Sequence, residues 1–458
     1  MKKTLKLKTL ILLITAGLMV TTGFQCKWVS PTTQKLLEPI EISWWSVVDD
    51  PTNIETLISD YKTLHPNITI NYRKLRPEEF KTELLNALAE DRGPDIFTIQ
   101  NTWVTEQLSK LEPLPANIKM AYEVTKKSLG IKEETLIEVR DAASITPAQL
   151  KNTFIDVVYD DVVRDGKIYG LPLSLDTLVL FYNRDLLNSA GIALPPTNWT
   201  VLQENVKKLT FQDKDGNLIQ SGVALGTTSN VERYADILSL LMLQNGAQMV
   251  TNNQVTFGAV PRSFPDQTYN PGPEAVRFYT DFANTSKEVY TYNETFPNSL
   301  NAFAQGRVAM IFGYNYHLAQ LNAISQGKLN YGITKVPQIE RRPEVNFANY
   351  WVQVVSKKSK HKNEAWDFIQ FISKEAEAKK YLTKTSKPTA LRSLVDEQQT
   401  NDQIRPFAEQ LLTSKSWYHG NDETAMENAF KEMIDSVRNG TELKDAVGLA
   451  IQKIQQTL

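Results

Sequence analysis

The stretch from Glu41 to Gln100 most restricts what this chain can become. "EISWWSVV" reads as a strand, and "IETLISDYKTL" places Ile54, Leu57, Ile58, Tyr61 and Leu64 at helical spacing. "NITINYRKL" alternates Ile68, Ile70 and Tyr72; a helix is predicted around Phe80, Leu84, Leu85 and Leu88, and "GPDIFTIQ" follows as a short apolar strand. Alternating strand and helix units build a parallel sheet with helices on its faces. Successive side chains of a strand point to opposite faces, so Trp44 and Trp45 must have different surroundings. Ile42 and Trp44 share one face, which predicts Trp44 as core. Trp45 falls on the other face, just before the loop that carries Asp49.

At 458 residues the chain is too long for one compact core, so two domains are expected. Residues 115–160 read as a mostly helical, polar elaboration of the first domain. "RDGKIYG" predicts a tight Asp-Gly turn between strands, followed by an apolar strand through Leu178 to Tyr182. In "NWTVLQENVKKL", Thr200 and Gln203 predict a capping box at a helix start. Met426, Phe430, Met433 and Val437 mark one C-terminal helix; Leu443, Val447, Ile451, Ile454 and Leu458 mark a second, with Gly440 between them.

The amino terminus carries Lys2, Lys3, Lys6 and Lys8, then the apolar run Leu10–Val20. That run is shorter than the roughly 20 residues a membrane-spanning helix needs. A basic start before a short apolar stretch predicts a secretory signal over residues 1–25. Cys26, the single cysteine, lies just beyond and looks like the acylated first residue of a bacterial lipoprotein, although Gln25 and Gly23 depart from that pattern. Lipidation and simple cleavage with release both stand, and 26–39 reads as a tether. Cleavage before Cys26 removes four lysines and no acids, taking the net charge from −2 to −6. A mildly acidic mature chain argues against nucleic acid as a partner.

Templates for catalysis fail in turn. There is no Walker phosphate loop, dinucleotide fingerprint, His-Glu-x-x-His or Gly-x-Ser-x-Gly. His65, His317, His361 and His419 are scattered, and no metal, cofactor or catalytic residue is expected. Asp213 and Asp215 in "DKDGN" resemble the start of a calcium loop, but position 224, where its closing glutamate belongs, is alanine. What the chain does place near predicted strand ends is aromatic rings: Trp103, Tyr314, Tyr316, Tyr350 and Trp351, beside Asn101, Asp176 and Asn315. Rings that stack and polar groups that take hydroxyls suit a sugar, and ligands of open α/β sheets bind at the carboxyl ends of strands.

Several segments in order resemble bacterial extracellular solute-binding proteins of family 1, which include maltose-binding protein and many sugar receptors of ABC importers. They are "ISWW" with "LISDYKTLHPNITINY", "LLNALAEDRGPDIFTI", "DGKIYGLPLSLDTLVLFYNRDLLNSAGI" with "PPTNWTVL", "FAQGRVAMIFGYN" and "KKSKHKNEAWDFIQFI". The resemblance implies an α/β, two-lobed periplasmic-binding-protein fold of type II, with a hinge and a ligand cleft between two α/β domains. It implies a first lobe of 40–173 plus 350–383 and a second of 178–345 plus 388–458, with hinges near 174–177, 346–349 and 384–387.

Carried over position by position, the resemblance implies ligand contacts from Trp45, Asp49, Asn101, Trp103, Asp176, Tyr314, Tyr316, Trp351 and Arg392. The implied function is binding of a carbohydrate, an oligosaccharide, for delivery to an ABC transporter permease. The protein would be a monomer and not an enzyme, exported to the outer face of the cytoplasmic membrane on a lipid anchor, or to the periplasm. Two rivals stand: a binding protein for glycerol phosphate, a polyamine or a peptide, and a surface glycosidase, which needs two carboxylates about 5–10 Å apart.

Overall fold

The computed structural model describes residues 38–128 and 132–458. Cys26, the proposed signal and most of the tether lie outside them. Two separate hydrophobic cores divide the chain. The first gathers Ile40 to Leu175 and then Ala348 to Leu411. The second gathers Leu178 to Phe347, then Phe407, and then Trp417 to Ile454. The chain therefore passes between cores near 176, near 347 and again between 411 and 417. The third passage differs from the expected 384–387. Most of 388–411, expected in the second lobe, belongs to the first: Ala390, Leu391, Leu394, Val395 and Ile404 are buried in its core, while Phe407 is buried in the second.

In the first lobe, five strands stand in the order Ile68–Lys74, Ile40–Ser46, Ile96–Gln100, Trp351–Ser356 and Leu111–Glu112. The first three are parallel; Trp351–Ser356 runs antiparallel to Ile96–Gln100, with Trp351 opposite Gln100. That register puts the end of one strand and the start of the other on the same sheet edge. The second lobe has a smaller sheet in which Val179–Asn183 lies antiparallel between Met310–Gly313 and Tyr331–Lys335. At the boundary, Asp176–Thr177 pairs with Ala348–Asn349, and Asn346–Phe347 pairs with Ser414–Lys415. These short pairings tie the three passages together.

Trp44 is 1% exposed, donates its indole N–H to Thr98 Oγ1 at 3.1 Å, and meets Tyr72 and Phe368 edge-on. Trp45 is half-buried on the other face, with the Arg73 guanidinium 4.9 Å from its ring centre. The Asp165–Gly166 turn joins Val163–Arg164 to Lys167–Ile168 with both central residues at positive φ, +50° and +70°, the twist a two-residue hairpin needs.

Two local expectations fail. The helix Trp199–Leu209 is capped by Asn198, whose side chain accepts from the Val201 N–H at 2.8 Å, not by Thr200. Residues 117–128 and 132–143 form a long antiparallel ribbon, Asn117–Ser128 with Lys132–Ala143, and not helices. The alternation of Ile118, Met120, Tyr122 and Val124 is a strand period that the high charge of the segment obscures.

The two tryptophans should separate in stability. Trp44→Ala removes a fully buried aromatic and should cost about 3–5 kcal/mol. Trp45→Ala loses partial burial and a cation–π contact and should cost about 1 kcal/mol. Urea denaturation of both variants checks the contrast; equal losses would contradict it.

Candidate ligand-binding cleft

The sheet edge of the first lobe faces the turn after Met310–Gly313 in the second, and a cavity of about 350 Å³ lies between them. Val47 and Val48 follow the first strand, Gln100 ends the third, and Trp351 begins the strand paired with it; all four line the cavity. Ser174, Asp176, Asn349 and Tyr350 line it from two of the passages between lobes. Pro77, Lys387 and Pro388 complete the first-lobe side, and Asn315, Tyr316 and Gln320 form the second-lobe side.

Asp176 is fastened by backbone donors. Its Oδ1 accepts from the Thr177 N–H at 2.9 Å and its Oδ2 from the Asn315 N–H at 2.8 Å, and the Tyr316 amide also bonds to the carboxylate. Burial pushes its pKa up to about 8, against the pull of those amides and of Lys387. Asp176 thus positions the turn that presents Tyr316, whose ring is 44% exposed and stacks at 5.7 Å on the buried Tyr314. Tyr314 faces away, donating its hydroxyl to Asp236 Oδ2 at 2.7 Å. His317 Nδ1 accepts the Tyr314 backbone N–H at 2.9 Å, so the imidazole also shapes this turn.

Lys387 is the cation on the wall, and it is already paired. Its Nζ lies 2.6 Å from Asp49 Oδ1, while Tyr381 donates to Asp49 Oδ2 at 2.9 Å. Asp49 is buried behind the wall, and its backbone carbonyl accepts from the Tyr72 hydroxyl at 2.7 Å. Behind Asn349 lies a second network. Arg233 makes a bidentate pair with Asp236, at 2.9 and 2.8 Å, and reaches Glu427 at 3.1 Å. Burial raises the Glu427 carboxyl to about 7, partly offset by Arg233.

Of the residues expected to touch ligand, Asp176, Tyr316 and Trp351 lie on the cavity wall. The others are placed elsewhere. Trp45 sits under Arg73, and Asp49 is consumed by Lys387 and Tyr381. Asn101 is buried, donating to Asp161 Oδ2 at 2.9 Å. Trp103 lies outside the cavity lining but against Trp351, ring centres 5.8 Å apart, and donates its indole N–H to Glu423. Arg392 is ion-paired with Asp156 at 2.6 Å within the first lobe. Gln100, Asn349, Gln320 and Lys387 also line the cavity and are not among the residues the sequence pointed to. Gln100 could have been found, since it ends the strand "DIFTIQ" at the edge where open sheets bind ligands. Lys387 gives no local signal, because its partner Asp49 is 338 residues away.

The model of the bacterial extracellular solute-binding protein family matches residues 44–379. The chain belongs to that family. Its fold is the two-lobed periplasmic-binding-protein fold. A solved cyclic α-maltosyl-1,6-maltose binding protein from Arthrobacter globiformis superposes with a TM-score of 0.72 at 18% identity, covering 91% of this chain and 98% of that one. In sequence, the chain is 27% identical over 261 residues to the maltodextrin-binding protein MdxE of Bacillus subtilis (strain 168), 56% of this chain and 58% of that protein. A Brucella abortus (strain 2308) chain named only as a binding protein is 25% identical over 316 residues, 68% of this chain and 66% of its own length. The chain thus spans about two thirds or less of these two sequence relatives.

His317 gives this wall a pH dependence. Burial, and then the nearby Arg233, lower its pKa from 6.5 to about 3, so the folded protein holds it neutral. The unfolded chain takes up a proton below pH 6.5, so this contribution to stability is whole above that pH and is lost as pH falls toward 3. His317→Asn keeps an acceptor near the Nδ1 position and removes the titration. Between pH 7 and pH 4.5 the wild type should lose roughly 2–3 kcal/mol more than this variant in urea melts. Parallel losses would show that His317 is not held neutral.

Proposed function

We propose that this protein binds a carbohydrate in the cleft between its lobes, leaves it intact, and delivers it to an ABC transporter permease on the outer face of the cytoplasmic membrane. The observation that carries this reading is the combination of exposed Tyr316 and half-buried Trp351 with the amides of Gln100, Asn315, Gln320 and Asn349 around one cavity. Aromatic faces take the apolar faces of a sugar ring, and amides donate to and accept from its hydroxyls. The maltodextrin-binding relative, and a galactooligosaccharide-binding protein of the same Bacillus strain at 25% identity over 252 residues, support the same ligand class.

The charge of the wall supports the choice among rivals. A phosphate ester or other anion needs a free cation, and Lys387 is neutralised by Asp49. A glycosidase needs two carboxylates facing the ligand, and among the described lining residues Asp176 stands alone, its oxygens bonded to backbone amides. Hinge closure would bring the Tyr316 turn down on the first-lobe edge, with Asp176–Thr177, Asn346–Asn349 and Ser414–Lys415 as the bending segments. Anchoring through an acylated Cys26 and action as a monomer complete the reading.

A thermal-shift panel of maltodextrins, galactooligosaccharides, glycerol phosphate, spermidine and short peptides tests it. A saccharide should raise the melting temperature by several degrees and be recovered unchanged by chromatography. A shift with a phosphate ester, amine or peptide and none with any saccharide would overturn the sugar reading; cleaved saccharide would overturn binding without catalysis.

A further inference from the structure

Next to Trp351 the two lobes are joined by a contact made through Thr102, Trp103 and Glu423. Thr102 and Trp103 lie in the turn Asn101–Trp103, directly after Gln100, in the first lobe. Glu423 begins the helix Glu423–Arg438, whose Met426, Phe430 and Met433 belong to the second core. The Glu423 carboxylate accepts from Thr102 Oγ1 at 2.6 Å and from the Trp103 indole N–H, and the residue is only 9% exposed. Asp422 already caps this helix by accepting from the Ala425 N–H at 2.9 Å, so Glu423 is free to face the other lobe.

The Trp103 ring meets the cavity-lining Trp351 edge-on at 76°. A saccharide that continued along the aromatic wall past Trp351 would run into Trp103 and Glu423. A second cross-lobe contact backs the first. Asp161, in the first-lobe helix Asp156–Val162, is 0% exposed and takes Ser416 Oγ and His419 Nε2, the latter at 2.8 Å, from the second-lobe approach.

We propose that Glu423 is a gate: fastened to Thr102 and Trp103, it shuts the cleft at the Trp103 end and limits the bound saccharide to a short one, a mono- or disaccharide or the terminal rings of a longer chain. This deepens, and rests on, the carbohydrate reading of the same cleft. The cavity of about 350 Å³ agrees, since it lies at the low end of the roughly 300–1,000 Å³ range of ligand pockets. The gate is polar and made of two hydrogen bonds, so it can open and close with the hinge. An apolar seal of the same area would hold the lobes together permanently. Glu423 thereby couples closure to ligand length: a chain that displaces the Trp103 indole forfeits its bond to Glu423.

Two measurements test this. In the first, small-angle scattering is recorded without added sugar on the wild type, Glu423→Ala and Trp103→Phe, the last keeping a ring and losing the N–H donor. Both variants should show a larger radius of gyration, with circular dichroism unchanged; wild-type dimensions in both would overturn the gate. In the second, calorimetric titration with maltose, maltotriose and maltohexaose, and with lactose and a galactotriose, compares wild type and Glu423→Ala. Wild-type affinity should stop improving beyond the disaccharide, and the variant should bind the longest chain at least tenfold more tightly than the wild type does. A wild type that favours maltohexaose over maltose tenfold, or an unchanged length profile in the variant, would overturn the length limit. If no saccharide binds either protein, the carbohydrate reading and the length limit fall together, while the scattering result still decides whether Glu423 holds the lobes closed.

Discussion

Everything at the cleft depends on the short pairings that bind the three passages between lobes. Asp176–Thr177 against Ala348–Asn349, and Asn346–Phe347 against Ser414–Lys415, are a few residues each. They nonetheless set the height at which each lobe presents its wall. Asp176 extends this constraint by taking the Asn315 N–H, which fixes the turn holding Tyr316 relative to the passage strand. Burying that carboxylate is costly, and the amide donors offset the cost only in part. The arrangement trades stability for a defined position of the Tyr316 ring.

The lobes differ inside and between. Each has an unbroken apolar core, whereas the contacts described between them are hydrogen bonds: Glu423 with Thr102 and Trp103, Asp161 with Ser416 and His419, Asn349 with Asp236 at 3.4 Å. Apolar burial, at about 25 cal/mol per Å², makes each lobe rigid. Polar contacts can exchange for water at little net cost, which is what a moving interface requires. Asp161 shows how far this goes. Burial would raise its pKa, yet hydrogen bonds from His419, Ser416 and Tyr350 hold it below the ordinary carboxylate range.

Local periodicity carried much of the fold into the sequence. The β/α alternation from Glu41, the opposite faces of Trp44 and Trp45, the Asp165–Gly166 turn and the two C-terminal helices all rest on spacing within a dozen residues. What spacing cannot carry was lost. The ribbon at 117–143 hides its strand period under charge. Most of 388–411 joins the first core, beside distant elements such as the helix Asp156–Val162, to which Arg392 is paired. At the cleft, the edge rule picked Tyr316 and Trp351, which line the cavity, because both sit near strand ends. It could not separate them from Trp103 and Asp49, whose side chains are claimed by Glu423 and Lys387, 320 and 338 residues away.

The central position of Trp351–Ser356 in the first sheet bears on how the chain is made. That strand pairs with Ile96–Gln100, about 250 residues earlier, and also with Leu111–Glu112. Until it has been synthesised, Ile96–Gln100 lacks a partner on one side, Leu111–Glu112 has no strand to join, and the first core cannot close. At about 5–20 residues per second, the amino-terminal half waits roughly 10–50 s for its missing strand. A family that works outside the cell benefits from this delay: a chain that cannot finish folding while it is being translated remains threadable through a translocation pore.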